Sequence, residues 1–261
     1  MGGAASVSRA TSKTRAVLAL RTRSEHQPAQ PTKNKLRSLE AAPRHGVKVI
    51  RSYALPSGAI LCYSIGNVER FTGDAIVNAA SEGCLGGAGV DGAITKAGGP
   101  KLAAARQRLK EVSRGVRCPT GSAVVTVGGA LKAKWCIHAV GPRYGSRPKD
   151  EDDALLRSAY AAALDLAAER KAASVAFPLL SGGVFKGQQS SLEVALKGVQ
   201  QVASSACAGL EVHLVAFGAD LEGQKAIGQA CEAVAGAKRP ASPQNRHQRA
   251  TGRPEEYAPR S

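Results

Sequence analysis

The chain has 261 residues, 43% of them hydrophobic, and carries 36 Lys and Arg against 20 Asp and Glu for a formal charge of +16. That length and apolar content suit one domain of ordinary size with a sizeable core and tails. No apolar run approaches 18 residues, so no transmembrane helix is expected.

The charge is unevenly spread. Residues 1–45 hold nine Lys/Arg against two acids and residues 236–261 hold six against two, which leaves the middle of the chain with a smaller excess. Both flanks are rich in Ser, Pro, Gln, Arg and Lys and lack hydrophobic periodicity, so they are expected to be disordered, and only residues 46–235 are expected to fold. Residues 1–24 hold five Lys/Arg and no acid, the composition of an organelle transit peptide for mitochondrion or plastid, with "RAVLALRTR" as its amphipathic stretch. "MGGAAS" also fits the myristoylation template through Gly2 and Ser6, with the basic residues as a second membrane signal. No aromatic residues interleave the flanking cations, so a solvated tail is favoured over a nucleic-acid contact.

The first strands are expected at "VKVIRSY", "GAILCYSI" and "DAIVNAA", which are short, apolar and β-branched. A glycine loop follows, "SEGCLGGAGVDG", and "VDGAITKA" then opens a helix. Gly87, Gly89 and Gly92 have the G-x-G-x-x-G spacing of a dinucleotide fold, but "SEGCLG" separates the strand from Gly87, and the acid about 20 residues on, Glu111, lies in a helical pattern. A loop of this kind can still turn its N–H groups onto a pyrophosphate at a helix N-terminus. The alternative is that Asp91 caps the helix and the glycines form a turn.

Further along, a helix is expected at "GPKLAAARQRLKEVS", strands at "SAVVTV" and "KWCIHAV", a helix at "DDALLRSAYAAALDLAAERK" and a strand at "SVAFPLL". His138 ends an apolar strand, where a packed histidine is expected rather than a base. After "SVAFPLL" comes a second strand-end glycine loop, Ser181, Gly182, Gly183, Val184 and Phe185, able to grip a pyrophosphate from the other side. The helix "SLEVALKGVQQVASSAC", the strand "EVHLVAF" and the helix "QKAIGQACEAVAG" complete the pattern, with no internal repeat. Strands apolar on both faces and alternating with helices imply an α/β fold, a three-layer α/β/α sandwich with ligands collecting beyond the strands' carboxyl ends.

The six cysteines, at 62, 84, 118, 136, 207 and 231, form no CxxC pair and have no nearby His at ligand spacing. They are read as reduced, mostly buried thiols of an intracellular protein, and neither a structural zinc nor another metal is expected.

The motifs "GDAIVNAAS…LGGAGVDGAI", "CPTGSAVVTVG", "CIHAVGP" and "FPLLSGGVFKG" occur together and in order from about residue 60 to 218, and in this the chain resembles the macrodomain family. The resemblance implies a macrodomain fold with a central mixed sheet, and ADP-ribose or ADP-ribosylated proteins as partners of a monomer that needs no cofactor. It is closest to the branch that removes ADP-ribose from proteins and deacetylates O-acetyl-ADP-ribose.

Carried across residue by residue, it places Gly86, Gly87, Ala88, Gly89 and Val90 near the distal ribose and diphosphate, and Asp91 on the α-phosphate side. Ser181 to Phe185 cover the other side of the diphosphate, with Phe185 near the distal ribose. Asn67 and Val68 occupy the place of the family's Asp-Ile, so the bond to the adenine amine becomes neutral and weaker by about 1 kcal/mol. Asn78 keeps the first Asn of the hydrolase motif and is expected to contact the ligand, while Ser81 replaces the second, and its shorter hydroxyl is expected to reach the ribose through a bridging water.

The implied mechanism is attack of a diphosphate-held water on the ribose or its ester. Asp91 and Ser81 are the candidate catalytic residues, and both loops' N–H groups stabilise the diphosphate. The alternatives are a reader that binds ADP-ribose without turnover, and a nucleic-acid-binding protein acting through its basic tails.

Overall fold

The computed structural model describes residues 29–40 and 45–236. The transit-peptide and acylation readings of the first residues lie outside the described residues, as does the basic tail from residue 237.

All seven apolar runs form strands: β1 (Lys48–Ala54), β2 (Ile60–Ile65), β3 (Ala75–Ala79), β4 (Ala123–Val127), β5 (Trp135–Ala139), β6 (Ser174–Phe177) and β7 (Glu211–Ala216). They make one sheet in the order β1-β2-β7-β6-β3-β5-β4. The inner pairs β2–β7, β7–β6, β6–β3 and β3–β5 are parallel, and the edge pairs β1–β2 and β4–β5 are antiparallel. The sheet is therefore mixed. Strands buried on both faces explain why these runs read as continuously apolar rather than alternating.

Successive side chains point to opposite faces, and the helices divide accordingly. Val77, Ile137, Val175 and Leu214 pack with α3 (Lys149–Glu169), α4 (Ser191–Ser205) and α5 (Leu221–Ala235) in the larger core. Ile76, Cys136, Ala176 and Val215 pack on the other face against Ile94 and Leu102 of α2 (Gly89–Gln107). That gives the three layers. α4 starts at a capping box in which Ser190 and Glu193 exchange hydrogen bonds, and Asp220 caps α5 by accepting from the Gly223 N–H at 2.9 Å.

The fifth helix, α1 (Lys33–Glu40), corrects the expectation that residues 1–45 lack structure throughout. Leu39 is fully buried with Val49, Ile60 and Cys62, and the Glu40 carboxylate accepts from the Ser52 N–H at 2.7 Å. One buried leucine and the hydrogen bonds of Ser52 to Glu40 and to the Leu36 carbonyl hold a helix too short and polar to show in the pattern.

α2 starts where "VDGAITKA" was expected to open a helix and runs on into the stretch starting at Gly99, with a break between the two. Gly99 adopts φ +63 with Pro100 after it, and the Gly98 carbonyl accepts from the Ala130 N–H, at 2.9 Å, in the β4–β5 connection. Among the described residues no helix is long and apolar enough to cross a membrane. No disulfide joins the cysteines, of which all but Cys207 are buried.

Candidate functional site

The connections leaving β2, β3, β6 and β7 at their carboxyl ends gather around one cleft, as expected for parallel strands of an α/β sheet. It has two lobes, one of 560 Å³ and one of 410 Å³. Gly89, Val90, Leu179, Gly182 and Gly183 line both and so form the neck between them.

At the neck the two glycine loops face each other. α2 begins at Gly89 with Ala88 as its N-cap and no side chain capping it, so its first N–H groups receive no side-chain acceptor. This settles one alternative: Asp91 sits inside the first turn and is not the cap. Gly92 is required by close approach, since a Cβ there would lie 2.7 Å from the Gly87 carbonyl oxygen. Gly→Ala within a helix ordinarily stabilises by about 1 kcal/mol. Gly92→Ala is expected to reverse that sign, lowering the denaturation midpoint, because the first loop must move; an unchanged or raised midpoint would show that the loop yields freely.

The larger lobe is lined by Asn67 and Val68 together with Phe217, Asp220 and Ile227, which the sequence reading passed over. Phe217 is 58% exposed at the end of β7. Its signal was visible as a third apolar strand ending in Gly, "VAFG", parallel in plan to the two loops already singled out. Ser81, Gly87, Ala88 and Asp91 line the smaller lobe from the first loop, and Ser181, Val184 and Phe185 from the second. Asn78 and Gly86 line neither lobe.

Asn78 is instead buried beneath the first loop, and its position corrects the expectation of direct contact. Its Nδ2 donates to Asp91 Oδ1 at 2.8 Å and to His138 Nδ1 at 3.1 Å. An amide nitrogen can only donate, so His138 Nδ1 accepts and the ring proton lies on Nε2, which donates to Thr126 Oγ1 at 2.9 Å. His138 is thus a packed histidine, as its strand position implied. Burial pushes its pKa down from 6.5 to about 3, with the Arg106 charge adding to the effect.

A histidine neutral in the fold and protonated when unfolded lowers stability as pH falls below about 6.5, by up to about 1.4 kcal/mol per pH unit. Urea unfolding at pH 7.5 and 5.0 is expected to show a smaller loss in His138→Gln than in the wild type. Equal losses in the two proteins would remove His138 as a source of acid sensitivity.

The partner of Asp91 is Arg106, whose side chain is fully buried. Its Nη1 donates to Asp91 Oδ1 at 2.7 Å and its Nη2 to Oδ2 at 3.2 Å, a two-pronged pairing. The same guanidinium donates to Thr95 Oγ1 at 2.7 Å and, through Nε, to the Cys84 carbonyl. Arg106 therefore ties the first loop to its helix. Its signal was an arginine four residues after Leu102 on the apolar face of "LAAARQRL", a place where a cation needs a partner.

The second loop is held as firmly. Ser181 takes φ +55, uncommon for a residue with a side chain, and its Oγ donates to the Pro142 carbonyl at 2.7 Å. That hydroxyl is committed, so Ser181 shapes the lobe rather than offering a free donor. Val184 is 87% exposed at the rim, and Phe185 accepts from the Tyr144 N–H at 2.9 Å while the Arg143 guanidinium lies 5.8 Å from its ring centre.

The model of the Macro domain family matches residues 77–195. A "Macro domain-containing protein in gbd 3'region" of Cupriavidus necator is 40% identical over 162 residues, covering 62% of this chain and 92% of that protein. An O-acetyl-ADP-ribose deacetylase of Shigella flexneri serotype 5b is 38% identical over 153 residues, covering 58% of this chain and 85% of the enzyme. Among solved structures, an Oceanobacillus iheyensis macrodomain with ADP matches with a TM-score of 0.61 and 31% identity over 67% of this chain and 92% of its own. A variant of that macrodomain with ADPR gives a TM-score of 0.60 and 30% identity, over 67% and 94% of the two chains.

Proposed function

The chain belongs to the macrodomain family, and from that membership we propose that its cleft binds ADP-ribose and hydrolyses ADP-ribosyl esters, on Asp or Glu side chains of proteins and on O-acetyl-ADP-ribose. The observation that carries the binding is the neck. An uncapped helix N-terminus and a glycine pair face each other between two lobes, which suits a ligand with two bulky ends and an anionic middle.

In this reading the adenine enters the larger lobe, between Val68, Ile227 and the exposed Phe217 ring, with Asn67 at its polar edge. The diphosphate crosses the neck on the N–H groups of both loops. The distal ribose occupies the smaller lobe beside Ser81, Asp91 and Phe185. Titration calorimetry tests this: ADP-ribose is expected to bind, with AMP and NAD weaker, and no heat with ADP-ribose would remove the assignment. Phe217→Ala is expected to weaken ADP-ribose binding by about 1–3 kcal/mol, the usual worth of a stacked base. An affinity unchanged by that substitution would place the adenine elsewhere.

For turnover, a water held against the diphosphate attacks the ribose or its ester. Asp91 already accepts from both Arg106 prongs and from Asn78, so its part is to position the loop and the ribose rather than to carry a proton. Ser81 is exposed on the lobe wall and reaches the ribose hydroxyls directly or through a water. The same commitment of Asp91 favours a second reading, a reader that holds ADP-ribose on proteins and does not cleave it. Release of ADP-ribose from a Glu-modified acceptor separates the two.

A further inference from the structure

On the α1 face of the sheet, away from the cleft, strand pairing brings together residues that lie far apart in the chain. β2 and β7 run parallel with Cys62 opposite His213 and Ile60 opposite Glu211. Glu211 and His213 are two apart and so share a face of β7. All three are buried, and one ligand atom from each, the thiol sulfur, a ring nitrogen and a carboxylate oxygen, lie within 4.8 Å of one another. His45, just before β1, brings its Nε2 to 3.8 Å from Glu211 Oε1 with its side chain 25% exposed.

We infer that Cys62, Glu211, His213 and His45 form a binding site for a divalent cation of borderline softness, with zinc as the fitting ion. A thiolate, a carboxylate and two neutral imidazoles are tetrahedral zinc donors, and their two negative charges balance the ion. His213 Nε2 lies 2.8 Å from Glu211 Oε1, while Nδ1 lies 3.0 Å from Ser64 Oγ. That second contact is the one a ligating histidine needs, because a proton held on Nδ1 leaves Nε2 free to ligate. Ser64 belongs to the same face of β2 as Cys62.

A buried Glu–His hydrogen bond would account for Glu211 and His213 alone. It does not account for a buried thiol within 4.8 Å of both, with a second imidazole 3.8 Å from the same carboxylate. His45, the one partly exposed member, supplies the route of entry. Glu211 opens β7, whereas the cleft is built at that strand's other end from Val215 onward, so the ion would pin the segment before β1 to the sheet and leave ADP-ribose untouched. Chain spacing concealed the site, which exists only through the pairing of two parallel strands.

The test uses the full chain, stripped with a chelator and titrated with Co²⁺ as the optical probe. The wild type is expected to bind a single equivalent with a thiolate-to-cobalt charge-transfer band and the intense visible bands of a four-coordinate ion, both removed by Zn²⁺. Cys62→Ala is expected to lose the charge-transfer band, and Ser64→Ala to keep it with affinity lowered about 10–100-fold. His45→Ala, the substitution nearest the surface, is expected to weaken binding at least tenfold. Zinc is expected to raise the melting temperature of the wild type without changing its ADP-ribose affinity. No cobalt band in the wild type, a band that survives in Cys62→Ala, or full affinity in His45→Ala would overturn the site.

Discussion

Arg106→Ala is expected to remove about 3–5 kcal/mol of folding stability, the usual cost of breaking a buried ion pair from one side. The size follows from what remains. Asp91 would keep a buried carboxylate without its two-pronged partner, and the Cys84 carbonyl and Thr95 hydroxyl would each lose a donor. Arg106→Lys, which restores charge without the planar fork, is expected to fall between the wild type and Arg106→Ala. Chemical denaturation decides the matter: a loss below about 1 kcal/mol would mean that water enters and solvates the carboxylate.

The second large effect concerns turnover. On the hydrolytic reading, Asp91→Asn is expected to slow release of ADP-ribose from a Glu-modified acceptor by about 10²-fold or more, as misplacing a positioned reactant does. Binding of free ADP-ribose should stay within about tenfold, because the neck N–H groups that would hold the diphosphate on this reading belong to the backbone. Single-turnover assays on folded protein keep the stability loss out of the rate. If binding and turnover fall together, Asp91 serves only to hold the loop. If the wild type itself releases nothing, the chain is a reader.

The strands were legible because they are buried on both faces, and an apolar β-branched run bounded by Gly or Pro has few other readings. The two glycine loops were legible for the related reason that a strand ending in several glycines must let something approach its backbone. What surrounds those loops was not. Asn78 sits in the same motif as Ser81, and nothing in "NAAS" tells that one side chain goes down to His138 while the other stays on the lobe wall. That depends on which face of β3 Asn78 leaves from, on the strand ending before Ser81, and on a neighbour in β5 far along the chain. Arg106 and Phe217 each left a local signal, but what each side chain meets is set by the fold, which that signal does not state. α1 escaped because its support comes from β1 and β2 and not from its own periodicity.

The break in α2 has a reach that its position does not announce. A straight helix rising ~1.5 Å per residue would set positions 91 and 106 about 22 Å apart, yet their side chains meet at 2.7 Å. The chain must turn back at Gly99, and that turn is held by the connection between the edge strand β4 and its neighbour β5, where a Cβ on Gly129 would lie 2.4 Å from the Gly98 carbonyl oxygen. An inherited change in that outlying hairpin would therefore act on the ligand loop as surely as one inside it, and a survey of tolerated variation confined to the cleft wall would overlook it.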